Sequence, residues 1–508
     1  MMTSNHDPIH AQVWAACEAF RGEMSLLQSR DYVLALVFVK YMSDVRHDEL
    51  AQWENDFDSN DERVSRRLGR IRFTLPQVEV RDGSGQIVIE RFLADIYSLN
   101  IRREQANIGE LIDRTLAALE KHNQPQLERL FHHLSFNTEM VLGSGGQRNE
   151  RLRQFLSFLA YLDLRSRSGA TAELFLYLIE RYAIEDQNTP ETPRQVARML
   201  VALVKPCLDE KVADPVCGSG SLLVQSLYFG GPELKLSAQE GSRNLWAIAR
   251  MNVMIHGRDD VSLPLAESLS SPQLLQGKQL QQFDVVLANP PQGLDAWLAG
   301  RTEVDPFGRF WRGMPPKSRA DYAWVSHCLA MTRPGRGRLA LVLPQGMMFR
   351  GGAEGRIRQR LLVDNVLDTV IVLPPNVFPH TPLVMVVCLF DRAREAGGAR
   401  AHVRDVLMID ASLGQSTNKS LSLLSAPQVD QIIAEVGLRQ ISGQRCYLAS
   451  LDEIAANDYD LNLRRYMFDR KKNDQIDLKA ALQEIGDLER ELQQLRNQMK
   501  QQLETLAA

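Results

Sequence analysis

The chain has 508 residues, 44% of them hydrophobic and 24% charged, which excludes a peptide hormone, a disulfide-stapled module or a disordered tail and leaves length for roughly two to four domains. With 59 basic against 63 acidic residues the formal charge is −4, which excludes a protein that coats nucleic acid by bulk charge; any DNA contact has to come from a local patch or a partner. Six cysteines (Cys17, Cys207, Cys217, Cys328, Cys388, Cys446) without a CxxC pair signal neither a zinc ribbon nor a disulfide framework and read as a reducing compartment.

The opening MMTSNHDPIH lacks the basic-then-apolar order of a secretory signal, and the longest apolar runs, such as Val384 to Phe390, are far shorter than a bilayer span. A cytoplasmic protein without a membrane element is expected. Residues 1–165 read as a helical domain, because apolar positions recur at helical spacing in Val13, Trp14, Cys17 and Phe20 and again in Tyr32, Leu36, Val39 and Met42. Arg81 to Gln86, lying between alternating stretches around Val78 and Ile87, predicts a short hairpin inserted among these helices. His132-His133 has no third ligand close by, so no metal site is expected.

Residues 166–415 change to short β-rich runs separated by helical ones: KVADP from 211, LSAQE from 236, FDVVLANPP from 283, GRLALVLP from 337, VLDTVIVLPP from 366 and LVMVVCLF from 383. This alternation predicts an α/β domain with a mainly parallel sheet, whose ligands bind where strands end. Residues 416–508 read as a helical region ending in a heptad seam, with Leu478, Ile485, Leu492 and Met499 seven apart and Ala481, Leu488 and Leu495 three further on. Such a seam serves partner pairing or packing on its own domain equally well.

At the end of the first strand, Asp214-Pro215-Val216-Cys217-Gly218-Ser219-Gly220-Ser221 opens a helix. The two glycines allow a tight turn with close backbone approach, and the helix start offers unpaired N–H groups. A dinucleotide turn wants a third small residue where Leu223 stands, so a nicotinamide or flavin cofactor is disfavoured. Glu240, about twenty residues on, is placed to accept hydrogen bonds from both hydroxyls of a ribose. After the third β run, Pro290 and Pro291 stop the strand, so that the Asn289 amide oxygen and the Pro290 carbonyl can face one amino group as acceptors. Between Gly300 and Ala320, Arg301, Arg309, Arg312, Lys317 and Arg319 interleave with Phe310 and Trp311, either a phosphate-contacting patch or an ordinary charged loop.

DPVCGSG, the acid of SAQE and ANPP in this order resemble the amino-methyltransferases, and specifically the modification (M) subunit of type I restriction-modification systems. The likeness runs over nearly the whole chain. Thr192-Pro193-Arg194-Gln195-Val196 is similar to the family's TPxxV segment, and Met251-Asn252 with His256-Gly257 to its MN...HG stretch. Gly313 to Lys317 resembles the GxPPK loop, followed by Asp321-Tyr322-Ala323; Pro344 to Glu354 with Ile357-Arg358 resembles PxGxxFRGGxE..IR; and Asn457 to Asn462 with Arg465-Tyr466 resembles NDYxLN..RY.

The resemblance implies a Rossmann-like S-adenosylmethionine-dependent methyltransferase sheet between an N-terminal helical domain and a C-terminal helical or coiled-coil tail. It implies an adenine-specific DNA methyltransferase acting on N6 of a base flipped from double-stranded DNA. S-adenosylmethionine would be held by Thr192, Asp214, Gly218, Ser219, Gly220, Glu240 and Glu267, and the target amine by Asn289, Pro290, Pro291 and Gln292. The implied partners are a specificity subunit, a restriction subunit and a second M subunit. Three positions depart from the pattern: Gln292 stands where a stacking Phe or Tyr is usual, Glu191 where an aromatic precedes Thr-Pro, and Ala266-Glu267 where Gly-Asp is usual. The alternative is therefore an M-like subunit that binds DNA or partners without efficient methyl transfer.

Overall fold

The computed structural model describes residues 8–20, 24–56, 72–81, 87–104, 107–139, 143, 145–167, 169–186, 190–293, 297, 305–413, 423–442, 445–467, 483, 485, 487–497 and 499. The chain forms two compact units, Met1–Leu461 and Asn462–Ala508. Helices Pro8–Cys17, Leu26–Asp56, Ile96–Ile101, Ile108–His122 and Gly145–Tyr161 build the N-terminal part. The starts of Ile96–Ile101 and Ile108–His122 are set by side chains that accept otherwise unpaired N–H groups: Asp95 from Ser98 at 2.6 Å and Asn107 from Glu110 at 3.4 Å. The predicted hairpin forms as β1 (Gln77–Arg81) antiparallel to β2 (Ile87–Leu93); its turn, residues 82–86, lies outside the described residues. The apolar faces of these helices, with Leu36, Val39 and Met42 at helical spacing, meet in a core that also takes Ala247, Ile248 and Met251 of helix Arg243–Ile255. A helix of the sheet domain is thus buried in the N-terminal core.

The remaining strands are β3 (Lys211–Asp214), β4 (Lys235–Ala238), the short pair β5 (Leu275–Gln276) and β6 (Gln279–Leu280), β7 (Val285–Ala288), β8 (Arg338–Pro344), β9 (Leu367–Val372), β10 (Met385–Asp391), β11 (Asp405–Asp410) and β12 (Cys446–Ser450). All except β5 and β6 join one eight-stranded sheet in the order β12-β11-β9-β10-β8-β7-β3-β4. Every residue of β7, β9 and β10 is buried, which is why these runs are mostly apolar along both faces instead of alternating.

The sheet is mainly parallel, as expected, with β4, β3, β7, β8, β9 and β11 in one direction. Two features add to the expectation. β10 runs antiparallel to both β8 and β9, which makes the sheet mixed. No helix separates β9 from β10, and a connection without a crossover helix returns the chain antiparallel. The region after residue 415 is also not purely helical: β12 pairs antiparallel with β11 and forms the sheet edge. In the second unit Ile485, Leu488, Leu492, Leu495 and Met499 are exposed; Leu478 and Ala481 of the heptad lie outside the described residues.

The β9 end of the sheet is tied by one carboxylate. Asp368, 6% exposed, receives Arg394 at 2.8 Å, Arg439 at 3.0 Å and Arg400 at 3.2 Å. Removing Asp368 strands the buried Arg394 without counter-charge, while Arg439 and Arg400 keep Asp405 and Asp391, so Asp368→Ala destabilises the fold by about 3–5 kcal/mol. Urea unfolding measures this; a loss under about 1 kcal/mol would mean that water screens the arginines.

Candidate active site

β3, β7 and β8 run parallel and side by side, with Ala213 opposite Val286 and Ala288 opposite Leu341, so their carboxyl ends form one rim. β4 lies on the other side of β3, and Ala238 donates its N–H to the Ser262 carbonyl at 2.8 Å, which adds the segment to Leu265 beyond it. Asp214 ends β3, and Glu240, Glu267 and Asn289 follow the other ends. The sequence-predicted residues are therefore brought to one place.

Asp214 is 1% exposed. Its Oδ1 accepts the Val216 N–H at 3.1 Å, while its buried Oδ2 has no partner among the described residues. Burial pushes this carboxyl up to about 8, and the charge of Glu240 adds to the rise. Glu240 accepts from Gly218 N–H at 2.9 Å and from Ser242 N–H at 2.7 Å. Burial raises Glu240 too, the backbone N–H bonds pull it down, and Glu267 pushes it up again. Two buried carboxyl groups held this way, one with an orphaned oxygen, favour a ligand carrying positive charge, and the exposed Glu267 stands beside them.

Gly218 (φ 57°) and Gly220 (φ 84°) take left-handed conformations that side chains disfavour. A Cβ on Gly218 would meet open space, so the turn presents bare backbone, whereas one on Gly220 would sit 3.5 Å from Ala249 of the helix beneath. Asn252 of that helix, fully buried, donates to the Ser219 carbonyl at 3.0 Å, which gives the MN...HG stretch its place in the site.

The Asn289 side-chain amide donates to Thr192 Oγ1 at 3.0 Å. That bond fixes the rotation of the amide and leaves Oδ1 as its acceptor end. Thr192, expected among the cofactor contacts, thus has its hydroxyl on the Asn289 turn. Glu191, the residue before it, accepts from Ser219 Oγ at 2.8 Å and from Ser221 Oγ at 2.5 Å. Pro290 is buried, Pro291 exposed and Gln292 half-buried.

The aromatic rings that follow Gln292 in sequence are in part engaged elsewhere. Trp297 and Phe310 are buried against each other, with centroids 5.4 Å apart and Trp324 in the same cluster. Trp311 is exposed but carries the Arg312 guanidinium 4.2 Å from its ring. The basic patch is also reduced: Arg309 and Arg312 are buried and paired with Asp305 and Asp364, because nearby carboxylates offer a stronger partner than water. Arg301 lies outside the described residues.

Two features escaped the sequence reading. Glu191 is a hydrogen-bonded part of the site, and the turn after β8 is clamped from several sides: Tyr322 donates to Met347 O at 3.0 Å, Arg358 to Met347 O and Arg350 O at 2.9 Å, and Leu461 N–H to Met348 O at 3.0 Å. The DYA, FRGG, IR and NDYxL segments therefore meet at one turn on the rim, leaving Phe349 45% exposed. Their repeated Arg and Tyr residues were the available signal.

Comparison with known proteins finds relatives of the same kind along most of the chain. The N-6 DNA Methylase family matches residues 169–475, and the HsdM N-terminal domain matches residues 9–158. The chain is 29% identical over 341 residues to the type I restriction enzyme MjaVII methylase subunit of Methanocaldococcus jannaschii, covering 63% of this chain and 57% of that protein. It is 22% identical over 538 residues to the MpnII methylase subunit of Mycoplasma pneumoniae, covering 98% and 96%. The crystal structure of a type I restriction-modification methyltransferase subunit from Streptococcus thermophilus superposes with a TM-score of 0.76 at 25% identity, covering 91% of this chain and 99% of that one.

Proposed function

The chain belongs to the N-6 DNA methylase family, and from that membership we propose that it is the modification subunit of a type I restriction-modification system, transferring methyl from S-adenosylmethionine to N6 of an adenine flipped from duplex DNA. The observation that carries this reading is the adjacency of the two turns: the glycine turn and the Asn289 turn follow neighbouring parallel strands and are held by consecutive residues, Glu191 and Thr192.

The residues present fit the cofactor. The orphaned, buried Asp214 Oδ2 suits an ammonium group, Glu240 a ribose, and the bare backbone at Gly218 admits close approach; Ser219, Gly220 and Glu267 complete the surround. When bound, S-adenosylmethionine supplies a methyl group on a positively charged sulfur. Asn289 Oδ1 and the Pro290 carbonyl accept the two protons of the target amine and orient its lone pair. Their fixed dipoles stabilise positive charge as it grows on that nitrogen. Pro291 stiffens the turn, and Gln292 lies where the base would rest.

We assign residues 1–165 to a helical domain, 166–415 to catalysis and 416–508 to the C-terminal region. Double-stranded DNA, a specificity subunit, a restriction subunit and a second M subunit are the partners; the exposed apolar residues Ile485 to Met499 suit a helical partner. No helix among the described residues is long and apolar enough to cross a membrane, in keeping with a cytoplasmic site of action.

Reconstitution with a specificity subunit and labelled S-adenosylmethionine tests the reading. N6-methyladenine in the product supports it, and cofactor binding without transfer supports the non-catalytic alternative that Gln292 raises. Gln292→Phe is the informative variant: restoring a base stack of about 1–3 kcal/mol tightens the hold on the flipped base by roughly five- to 150-fold. Fluorescence of a flipped base analogue measures it; an unchanged signal would show that another group already fills that role.

A further inference from the structure

We propose that Glu191 is a positioning residue that ties the cofactor turn to the base-holding amide. The inference rests on the methyl-transfer reading of the site. Residues 190–193 run without helix between helices Ala170–Glu185 and Arg194–Val204. Glu191 reaches the serines of the glycine turn, and the neighbouring side chain, Thr192, reaches Asn289.

The chemistry of the contact is specific. Ser219 is 2% exposed and Glu191 7% exposed, and the two serine oxygens lie 2.8 Å apart. A single carboxylate oxygen, Oε1, takes both hydroxyls. Without it the serines have each other, and one buried hydroxyl proton loses its acceptor. Both serines flank Gly220, whose left-handed backbone sets where the turn ends and the helix Ser221–Gly230 begins. The carboxylate therefore holds the turn on one side while its neighbour holds Asn289. Displacement of residues 191–192 would move both turns together.

Glu191 also borders a small cavity of about 20 Å³ whose other polar lining includes Glu180, Arg194 and Gln225. A shortened side chain at 191 opens onto that space and admits water, so the Ala variant leaves no apolar void. Gln keeps one acceptor oxygen in the same place. It is the conservative replacement.

Three measurements test the proposal: equilibrium affinity for S-adenosylhomocysteine and single-turnover methyl transfer by the full chain with its specificity partner, and thermal unfolding of the full chain alone, which shows that each variant is folded. Glu191→Ala lowers both the affinity and the transfer rate by about tenfold, as expected for the loss of hydrogen bonds to a charged group, and Glu191→Gln restores most of both. The double replacement Ser219→Ala/Ser221→Ala gives the same loss, and combining it with Glu191→Ala adds little further. Additive losses, or unchanged affinity and rate in a folded Ala variant, overturn the proposal. If Glu191→Ala fails to fold, the serine pair and Glu191→Gln decide on the same criteria. Failure of the broader reading is separate: there the unmodified chain itself neither binds the cofactor analogue nor transfers methyl, and the positioning role falls with it.

Discussion

Asn289→Ala abolishes most methyl transfer, by about 10²–10³-fold in single-turnover rate, while affinity for S-adenosylhomocysteine changes little; this is the usual cost of removing one preorganised dipole from a reacting centre. The asymmetry follows from geometry. Asn289 lies after β7 and is tied to Thr192, whereas the groups suited to the cofactor lie after β3 and β4. Thr192→Val removes the bond that fixes the amide rotation but leaves the amide, so its loss is smaller than that of Asn289→Ala and appears in rate before affinity. Methyl transfer by Asn289→Ala within about threefold of the unmodified chain would remove the amide from the mechanism.

Asp214→Asn has its largest effect above pH 8. The buried carboxyl titrates at about 8, so at pH 6.5 it is mostly protonated and the substitution changes little. At pH 8.5 it is mostly ionised, and its loss weakens S-adenosylmethionine binding by about 10- to 100-fold, the range for a hydrogen bond to a charged group. The cofactor's amine titrates in the same region, which is why the ratio of the two proteins at each pH is the quantity to measure by calorimetry. A ratio independent of pH would show that Asp214 is not the cation's partner. The sign for stability is opposite. The folded-state value is raised from 3.8 to about 8, so the stability linked to the protonated form is complete below about pH 4 and is lost as pH rises through about 8. Without ligand, Asp214→Asn therefore melts higher than the unmodified chain at pH 9.

The strand ends were legible because they are local: a β-rich run followed by Gly218 and Gly220, or by Pro290 and Pro291, stops where backbone sterics dictate. The same locality made Asp214, Glu240 and Asn289 visible as residues following strands. The antiparallel course of β10 was not visible, since its apolar residues suit either direction once both faces are buried. β11 and β12 were missed for a related reason. DVLMID and CYLAS are short, and their pairing at the sheet edge joins segments far apart in the chain.

By itself, then, the sequence determined which residues stand at the strand ends and the order in which they arrive, through turn residues that act on their immediate neighbours. Tertiary structure alone decided which of them touch. The Thr192 hydroxyl on Asn289 spans 97 positions, and the Glu191 carboxylate meets Ser219 and Ser221 28 and 30 positions away. Such bonds form only after burial of β3 and β7 in one sheet has brought the turns together, and no local pattern encodes a hydrogen bond whose geometry depends on that closure.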